Sequence, residues 1–298
     1  MADSAAIGID VGGTKIAGVL LDADMTVADR ARLDTPPDQD ELIATVAAMA
    51  GALALRARRP VAGVGVGVPA MVAQPEGRAL LSMFARLGDV PVRALLEERT
   101  GRRVVVDNDG NLAALAEHRL GAAAGTGTSI TFTVGTGVGG GVVLDGALMR
   151  GAGGRGAELG HIPVRADGPP CPGRCPGRGC LEALASGTAL ARALGVPDAR
   201  TVLHRADAGD EEAARVVDEA GVALGVAMAG LANVFNPEVF VVGGGLGMAA
   251  GERLLAPARR ELAARALPPN AGARVVPARL GELAGAIGAA VAARDITR

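Results

Sequence analysis

The sequence predicts an α/β protein whose core is internally duplicated. Two observations carry this prediction: strands and helices alternate along the 298 residues, and one strand–turn–strand plan occurs twice. The first copy is AAIGIDVGGTKIAGVLLD, and the second is SITFTVGTGVGGGVVLDGAL, from Ser129 to Leu148. In both copies apolar residues flank a glycine turn that carries a threonine. Chance similarity between two glycine-rich hairpins is the alternative.

Hydrophobic periodicity predicts the elements between the two hairpins. In chain order these are a helix over Asp40–Arg58, a buried strand VAGVGVGVP, a helix over Val90–Thr100 and a strand RRVVVD. Asn111 is the predicted N-cap of a further helix, LAALAEHRL, which stops at Gly121.

A segment that holds all three cysteines follows the second hairpin, and the chain then becomes helical. Periodicity predicts helices over Leu184–Leu194, Ala199–Ala206 and Asp210–Phe235. Beyond them, EVFVVGGGLG predicts a strand that runs into a glycine turn. ARVVPARL predicts the last strand, and ELAGAIGAAVAAR predicts a closing helix.

The composition indicates a globular protein and excludes several partners. Hydrophobic residues make up 49% of the chain, and the net charge of −2 gives no footprint for nucleic acid or an anionic membrane surface. The N-terminus lacks the basic and apolar regions of a secretory signal, and the run AGVALGVAMAGLANVF is too short for a membrane span. Because the cysteine count is also odd, we expect a cytoplasmic protein.

Three glycine turns follow apolar strands, and glycine lets backbone N–H groups approach phosphate oxygens closely. They are Gly12-Gly13-Thr14-Lys15, Gly135-Thr136-Gly137 and Gly243-Gly244-Gly245. One such turn is weak evidence, but three turns, two of them with a hydroxyl, favour phosphate binding. The second turn leads into a strand and not into a helix, which argues against dinucleotide binding. Lys15 is the only lysine in the chain.

Several acidic side chains stand where chemistry could occur. Asp10 ends the first strand and could hold Mg²⁺ through water, or could simply cap the turn. Asn108 and Asp109 stand where a buried strand enters a helix, so Asp109 could accept a proton or cap that helix. Glu158 and His161 share one face if their segment is helical, and Glu182 follows the last cysteine. A solvated surface charge is the alternative for each acid.

These segments together resemble the ROK family of repressors and sugar kinases, and most closely its bacterial glucokinases, over essentially the whole chain. The matching segments are IGIDVGGTKI, DNDGNLAALAE, VGTGVGGGVVLDGALMRGAGGRGAELGH and VVGGGLG. The resemblance implies an actin/hexokinase-like fold with two α/β lobes and a cleft between them. The implied division is a small lobe over residues 1–118, closed by a C-terminal helix over 284–298, and a large lobe over 119–283 that holds a zinc-binding segment.

The resemblance also implies the roles of individual residues in an ATP-dependent hexose kinase. Asp109 would be the catalytic base that takes the proton of the sugar 6-hydroxyl. The implied sugar ligands are Asn108, Asp109, Glu158, His161 and Glu182. The residues implied to line the ATP phosphates with Mg²⁺ are Asp10, Gly12, Gly13, Thr14, Lys15, Thr136 and Gly137, while Gly243, Gly244 and Gly245 would approach the adenosine.

A zinc site is part of the same resemblance. The family carries one histidine and three cysteines as zinc ligands, and here His161, Cys171, Cys175 and Cys180 supply that Cys₃His set, which is typical of structural zinc. The first two cysteines are three residues apart in CPGRC, where the family usually has one, so a metal-free loop is the alternative. Three thiols cannot pair evenly in disulfides, and the chain has no CxxC redox motif.

The choice of sugar and the class of protein leave alternatives open. Ala70 stands where the family usually has glycine, and Met83 where it has asparagine, in segments that border the sugar pocket in the family. The alternatives to glucose are fructose, allose, mannose and N-acetylmannosamine. A non-catalytic sugar sensor or a repressor is a further alternative, although the first phosphate strand begins at Ile7 and leaves no room for a preceding DNA-binding domain. We expect a homo-oligomer, either a dimer or a tetramer.

Overall fold

A computed structural model describes residues 4–82, 87–172 and 174–295 of the chain. It divides into two compact units. The first unit comprises Met1–Leu120, Leu148–Ala157 and Glu282–Arg298, and the second comprises Gly121–Ala147 and Glu158–Gly281. The short segment Leu148–Ala157 falls inside the range expected from sequence for the large lobe, yet it packs with the first unit.

Five strands form the sheet of the first unit: β1 (Ala5–Val11), β2 (Lys15–Leu21), β3 (Val27–Asp34), β4 (Val61–Val68) and β7 (Val104–Asn108). Their spatial order is β3-β2-β1-β4-β7. A separate hairpin consists of β5 (Ala70–Ala73) and β6 (Arg78–Ser82). The helices are α1 (Gln39–Leu55), α2 (Val92–Thr100), α3 (Asp109–Leu120) and α10 (Ala284–Asp295).

The second unit repeats this sheet with the strands β8 (Ser129–Val134), β9 (Val138–Leu144), β10 (Ala147–Leu148), β11 (Val239–Gly243) and β12 (Arg274–Pro277). Their spatial order is β10-β9-β8-β11-β12. The helices are α4 (Leu181–Ala185), α5 (Gly187–Leu194), α6 (Ala199–Asp207), α7 (Glu211–Phe235), α8 (Gly244–Ala250) and α9 (Glu252–Arg265).

The two sheets share one connectivity, which confirms the predicted duplication. In each, an antiparallel hairpin (β1–β2 or β8–β9) is extended by two parallel strands on the side of its first strand. Parallel strands run in the same direction, so their carboxyl ends lie at the same edge of a sheet. The ends of β1, β4 and β7 therefore meet at one edge of the first sheet, and those of β8, β11 and β12 meet at one edge of the second. Ligand sites of α/β proteins lie at such edges.

Close backbone packing joins α10 to the first sheet. A Cβ atom on Gly8 of β1 would overlap the carbonyl oxygen of Ala286, and one on Gly65 of β4 would overlap that of Ala289. Glycine is needed at both positions because the helix backbone occupies the space that a side chain would take. The closing helix predicted from sequence is therefore a structural part of the first unit.

Small aliphatic side chains fill both cores, as a chain without Trp or Tyr requires. In the second sheet Phe132 on β8 and Phe240 on β11 are fully buried and stack, with ring centroids 6.4 Å apart. One helix of the described residues, α7, has the length and apolarity that a membrane span needs, but 67% of its most apolar window is buried inside the protein.

Three local predictions are wrong, and each has a physical reason. Asn111 is not an N-cap, because α3 already begins at Asp109 and the side chain of Asn108 accepts the N–H of Asn111 (3.1 Å). The helix expected over Leu184–Leu194 breaks at Ser186, whose hydroxyl oxygen caps α5 by accepting the N–H of Ala189 (3.1 Å).

The third wrong prediction concerns the glycine turn after β11. Gly244, with a φ of +81°, is the first residue of α8, so the chain passes from strand to helix without an intervening loop. A Cβ atom on Gly244 would lie 2.5 Å from the carbonyl oxygen of Val134, and so only glycine allows this approach to β8. Strand β3, the β5–β6 hairpin and helix α9 were not predicted from sequence.

Candidate active site

Two carboxylates converge at the carboxyl edge of the first sheet. Asp10 on β1 is in register with Gly67 on β4, and Gly67 is in register with Asp107 on β7. A Cβ atom on Gly67 would lie 3.1 Å from Oδ1 of Asp10 and 3.6 Å from the Cα of Asp109. The missing side chain at Gly67 therefore lets Asp10 and Asp109 approach each other across β4.

Electrostatics at this edge favour a bound cation. Burial, together with the smaller effect of the nearby Asp109 charge, raises the pKa of Asp10 to about 7. Oδ1 of Asp10 is buried and has no hydrogen-bond partner among the described residues. Two carboxylates with a buried, unpaired oxygen supply the hard oxygen ligands that Mg²⁺ prefers.

The junction between β7 and α3 holds Asn108 and Asp109 in fixed places. Nδ2 of Asn108 donates to the carbonyl oxygen of Ala70 (3.3 Å), while its Oδ1 caps α3 as described above. Asp109 accepts the N–H of Gly110 (2.9 Å) and stands at the positive end of the α3 dipole. Asp109 is thus a carboxylate whose backbone is held in place by the start of a helix.

The turn between β1 and β2 is closed by hydrogen bonds. The N–H of Gly12 donates to the carbonyl oxygen of Lys15 (2.9 Å), and the hydroxyl of Thr35 donates to the carbonyl oxygen of Gly12 (2.8 Å). The single lysine, Lys15, forms an ion pair with Asp34 on β3. Both side chains of this pair are exposed, so the pair contributes little to stability and Lys15 can exchange partners easily.

A second group of polar side chains comes together in the second unit. Glu182 on α4 is only 7% exposed, and its Oε2 accepts the N–H of Val138 (2.9 Å). Its Oε1 is buried without a partner in the part of the chain that the structure describes. Glu158 lies nearby and immediately precedes a 3₁₀ turn over Leu159–His161, whose last N–H donates to the carbonyl oxygen of Glu158 (3.0 Å).

Charges within this group influence one another. Burial raises the pKa of Glu158, the nearby His161 opposes that shift, and the charge of Glu182 adds to it. The structure therefore brings together Glu158, His161 and Glu182, three of the residues singled out from sequence, as a set of hydrogen-bonding groups.

The two glycine segments of the second unit lie at one edge of its sheet. Gly243 on β11 is in register with Thr133 on β8, one residue before the strand end that leads to Gly135–Gly137. The carbonyl oxygen of Gly135 accepts the N–H of Gly187 at the start of α5 (2.7 Å), which fixes that turn. A Cβ atom on Gly137 would overlap Oε2 of Glu182, so this turn also contacts the polar group described above.

His161, Cys171, Cys175 and Cys180 form a compact cluster in the same unit. Their potential ligand atoms all lie within 4.8 Å of one another. Nδ1 of His161 is 3.4 Å from Sγ of Cys171, and Sγ of Cys175 is 4.0 Å from Sγ of Cys180. Tetrahedral zinc, with bonds of about 2.3 Å to sulfur and about 2.0 Å to nitrogen, separates its ligand atoms by about 3.5 to 3.8 Å.

The chemistry of these thiols also fits a cation. All three cysteines are free. Burial raises the pKa of Cys171 and of Cys180, and the neighbouring thiol of Cys175 raises both further. Three thiols held this closely cannot all be thiolates unless a cation compensates their charge. The longer CPGRC spacing therefore remains compatible with a Cys₃His site.

Sequence reasoning missed Asp107, Arg150 and the true role of Asn111. Asp107 is completely buried and accepts hydrogen bonds from both other residues. The signal in the sequence was an acidic residue directly after the buried run VVV, where a charge needs a partner.

A cavity of about 590 Å³ in the second unit is lined by other residues, chiefly of α5 and α7, and contains none of the predicted site residues.

Comparisons with known proteins agree with this fold. The sequence profile of the ROK family matches residues 6–296. A glucokinase of Halalkalibacterium halodurans is 38% identical over 314 aligned positions, which cover 97% of this chain and 94% of that protein.

Solved structures give the same result. A ROK hexokinase from Thermus thermophilus superimposes with a TM-score of 0.86 at 38% identity, covering 98% of this chain and 99% of that one. A ROK family glucokinase from Streptomyces griseus in complex with glucose and AMPPNP gives 0.83 at 32% identity, covering 98% and 100%. The fold is the two-lobed actin/hexokinase fold. The chain belongs to the ROK family.

The raised pKa of Asp10 predicts a pH-dependent cost in stability. The native state keeps a proton that the unfolded chain releases above its ordinary pKa of 3.8, so stability falls as pH rises towards about 7. Asp10→Asn has no such loss. Without added magnesium, its free energy of unfolding should exceed that of the wild type near pH 8, by about 1.4 kcal/mol for each unit of pKa difference.

Urea unfolding at several pH values measures this effect. The advantage of Asp10→Asn should shrink as the pH is lowered towards about 4. Glu76→Gln, at an exposed carboxylate of the same unit, is the matched control and should follow the wild type. Parallel stability curves for Asp10→Asn and the wild type would contradict the raised pKa.

Proposed function

We propose that this protein is a kinase that transfers the γ-phosphoryl group of ATP to the 6-hydroxyl of a hexose, with glucose as its preferred sugar. The observation that carries the proposal is the convergence of Asp10 and Asp109 at the carboxyl edge of the first sheet. At this edge Asp10 is suited to bind a metal ion, and Asp109 is suited to accept a proton. The relative from Streptomyces griseus was solved with glucose and AMPPNP, which supports the same pair of substrates here.

Asp109 is the catalytic base in this proposal. Phosphoryl transfer needs little covalent help from a protein, so positioning and charge neutralisation account for most of the rate. A placed carboxylate that takes the proton of the 6-hydroxyl adds about 10²- to 10⁴-fold. Asp109 fits this role because the start of α3 holds its backbone in place.

The nucleotide is assigned to the glycine segments. Gly12, Gly13, Thr14 and Lys15 face the phosphates in the first unit, and Thr136 and Gly137 in the second, while Gly243–Gly245 approach the adenosine. Asp10 would hold Mg²⁺, and its buried unpaired oxygen supports this assignment. When bound, Mg²⁺ neutralises charge on the phosphate oxygens. The exposed ion pair of Lys15 can open to meet a phosphate at little cost.

Hydrogen bonds select the sugar in this proposal. The ligands are Asn108, Asp109, Glu158, His161 and Glu182, whose carboxylate, amide and imidazole groups suit vicinal hydroxyls. The buried Oε1 of Glu182 supports the assignment, because an unsatisfied acceptor gains most from a donated hydroxyl. The chain contains neither Trp nor Tyr, so stacking against those rings cannot contribute to sugar recognition.

The choice between glucose and another hexose depends, in this proposal, on the segment around Ala70. Ala70 is buried on β5, and its carbonyl oxygen accepts the side-chain N–H of Asn108, a proposed sugar ligand. A change of backbone at this position would therefore shift Asn108. Met83, the other departure from the family pattern, lies outside the described residues.

Structural zinc in the His161, Cys171, Cys175 and Cys180 cluster belongs to the proposal. The distances and the free thiols support it. Nδ1 of His161 faces the thiols, which leaves Nε2 for a sugar hydroxyl. The free thiols also favour the reducing cytoplasm. A dimer or tetramer remains part of the proposal on the family resemblance alone.

A coupled assay of ADP formation against a panel of sugars tests the proposed function. With ATP and Mg²⁺, we expect glucose to give the highest kcat/KM among glucose, mannose, fructose, allose and N-acetylmannosamine. 6-Deoxyglucose is the matched control, since it keeps the ring hydroxyls and lacks the acceptor. A higher kcat/KM for another hexose would correct the substrate, while no turnover with any sugar would contradict a kinase.

Removal of one thiol tests the zinc site. Cys175→Ser should lower zinc from one ion per chain to near zero, and should weaken glucose binding by about tenfold or more, because metal ligation orients His161. AMPPNP binding, which uses the glycine segments, should change far less. Metal analysis and calorimetry measure these effects, with Arg178→Ala, an exposed residue of the same segment, as the control. Full activity in wild-type protein that contains no zinc would contradict this assignment.

A further inference from the structure

An ion pair between a buried carboxylate and a half-buried arginine lies next to the proposed base in the chain. Asp107 lies on β7, two residues before Asp109, the first residue of α3, and its side chain is 0% exposed. Its Oδ2 accepts Nε of Arg150 at 2.6 Å, and the contact is also an ion pair. A carboxylate this deeply buried requires compensation, because an unpaired charge inside a protein is strongly unfavourable.

The other oxygen of Asp107 bonds to the chain on both sides of the proposed base. Oδ1 accepts the backbone N–H of Asn108 at 2.8 Å and Nδ2 of Asn111, in the first turn of α3, at 3.1 Å. One carboxylate therefore ties the last residue of β7 to the helix that begins at Asp109. Any shift of Asp107 would move the backbone that carries Asp109.

Arg150 belongs to the short segment Leu148–Ala157, which packs with the first unit although its sequence neighbours belong to the second. The carbonyl oxygen of Arg150 accepts the N–H of Gly156 (2.8 Å), so the segment closes on itself as a loop. Left-handed backbone at Gly151, Gly153 and Gly154 makes this loop possible. The chain then continues directly to Glu158.

A second contact holds the loop against β7. The N–H of Gln74 donates to the carbonyl oxygen of Gly153 (3.2 Å), and Nε2 of Gln74 donates to the carbonyl oxygen of Val106 (2.7 Å), one residue before Asp107. The loop is thus attached to β7 twice, by Arg150 and through Gln74. Of the two, only the contact of Arg150 is charged.

We propose that Arg150 is a positioning residue that acts through Asp107: their ion pair anchors the Leu148–Ala157 loop to β7 and fixes the backbone that carries Asn108 and Asp109. Arg150 itself contacts neither the sugar nor the nucleotide. The inference rests on the proposed kinase function. It adds Arg150 and Asp107 as residues whose substitution should lower kcat. A misplacement of about 1 Å can lower the rate about 100-fold while binding is largely kept.

Steady-state kinetics of a small set of variants tests the proposal. Arg150→Met should lower kcat by about 10- to 100-fold, with KM for glucose and ATP changed less than about threefold. Arg150→Lys keeps the positive charge and should recover part of the loss. Arg155→Met, an exposed arginine in the same loop, is the matched control and should match the wild type.

A double variant separates positioning from substrate contact. Asp107→Asn should lower kcat as Arg150→Met does, and the two changes together should cost no more than the larger single effect, because both break one pair. Multiplied effects, or a rise in KM for ATP on Arg150→Met with Asp107→Asn unaffected, would overturn the proposal and assign Arg150 to the substrate.

Hydrogen exchange gives a readout that does not depend on activity. Backbone amides of Gly151–Gly156 and of the first turn of α3 should exchange faster in Arg150→Met than in the wild type or in Arg155→Met. Arg150→Lys gives the same comparison if the methionine variant fails to fold. Unchanged exchange in both variants would overturn the proposal. A wild type without kinase activity would instead refute the proposed function and leave the exchange test valid.

Discussion

The backbone contact between α10 and strands β1 and β4 is the constraint on which the proposed active site depends. Gly8 and Gly65 allow the helix to lie directly on the sheet, and Gly285 at its start lies against the side chain of Asp10. The resulting burial raises the pKa of Asp10 and leaves its Oδ1 without a partner among the residues described. A carboxylate held in this state is preorganised for a cation, which would supply the missing interaction.

Much of the fold could be predicted from the sequence because its repeated part is local. The two strand–turn–strand segments that begin near Ile7 and at Ser129 predict the duplicated sheets. Hydrophobic periodicity predicts the bounds of α1 and α7 to within a few residues. The exposed strand β3, by contrast, has no apolar pattern and depends on pairing with β2. The direct entry into α8 at Gly244 depends on contact with β8, which no local pattern records.

The candidate site was only partly predictable, for the same reason. Single acids such as Asp10 and Asp109 stand at strand ends, and parallel strands bring such ends together. The cysteine spacing could suggest a metal but could not show that the ligand atoms converge. The pairing of Asp107 with Arg150 joins residues 43 positions apart, and only the folded loop brings them into contact.

The effect of Asp109→Asn on turnover tests the account most directly. The amide keeps the shape of the side chain and loses its basicity. The account predicts that kcat with glucose falls by about 10²- to 10⁴-fold while glucose and AMPPNP still bind, as measured by calorimetry on the same preparation. A variant whose kcat equals that of the wild type would show that Asp109 is not the base, and would contradict the mechanism proposed for this edge of the sheet.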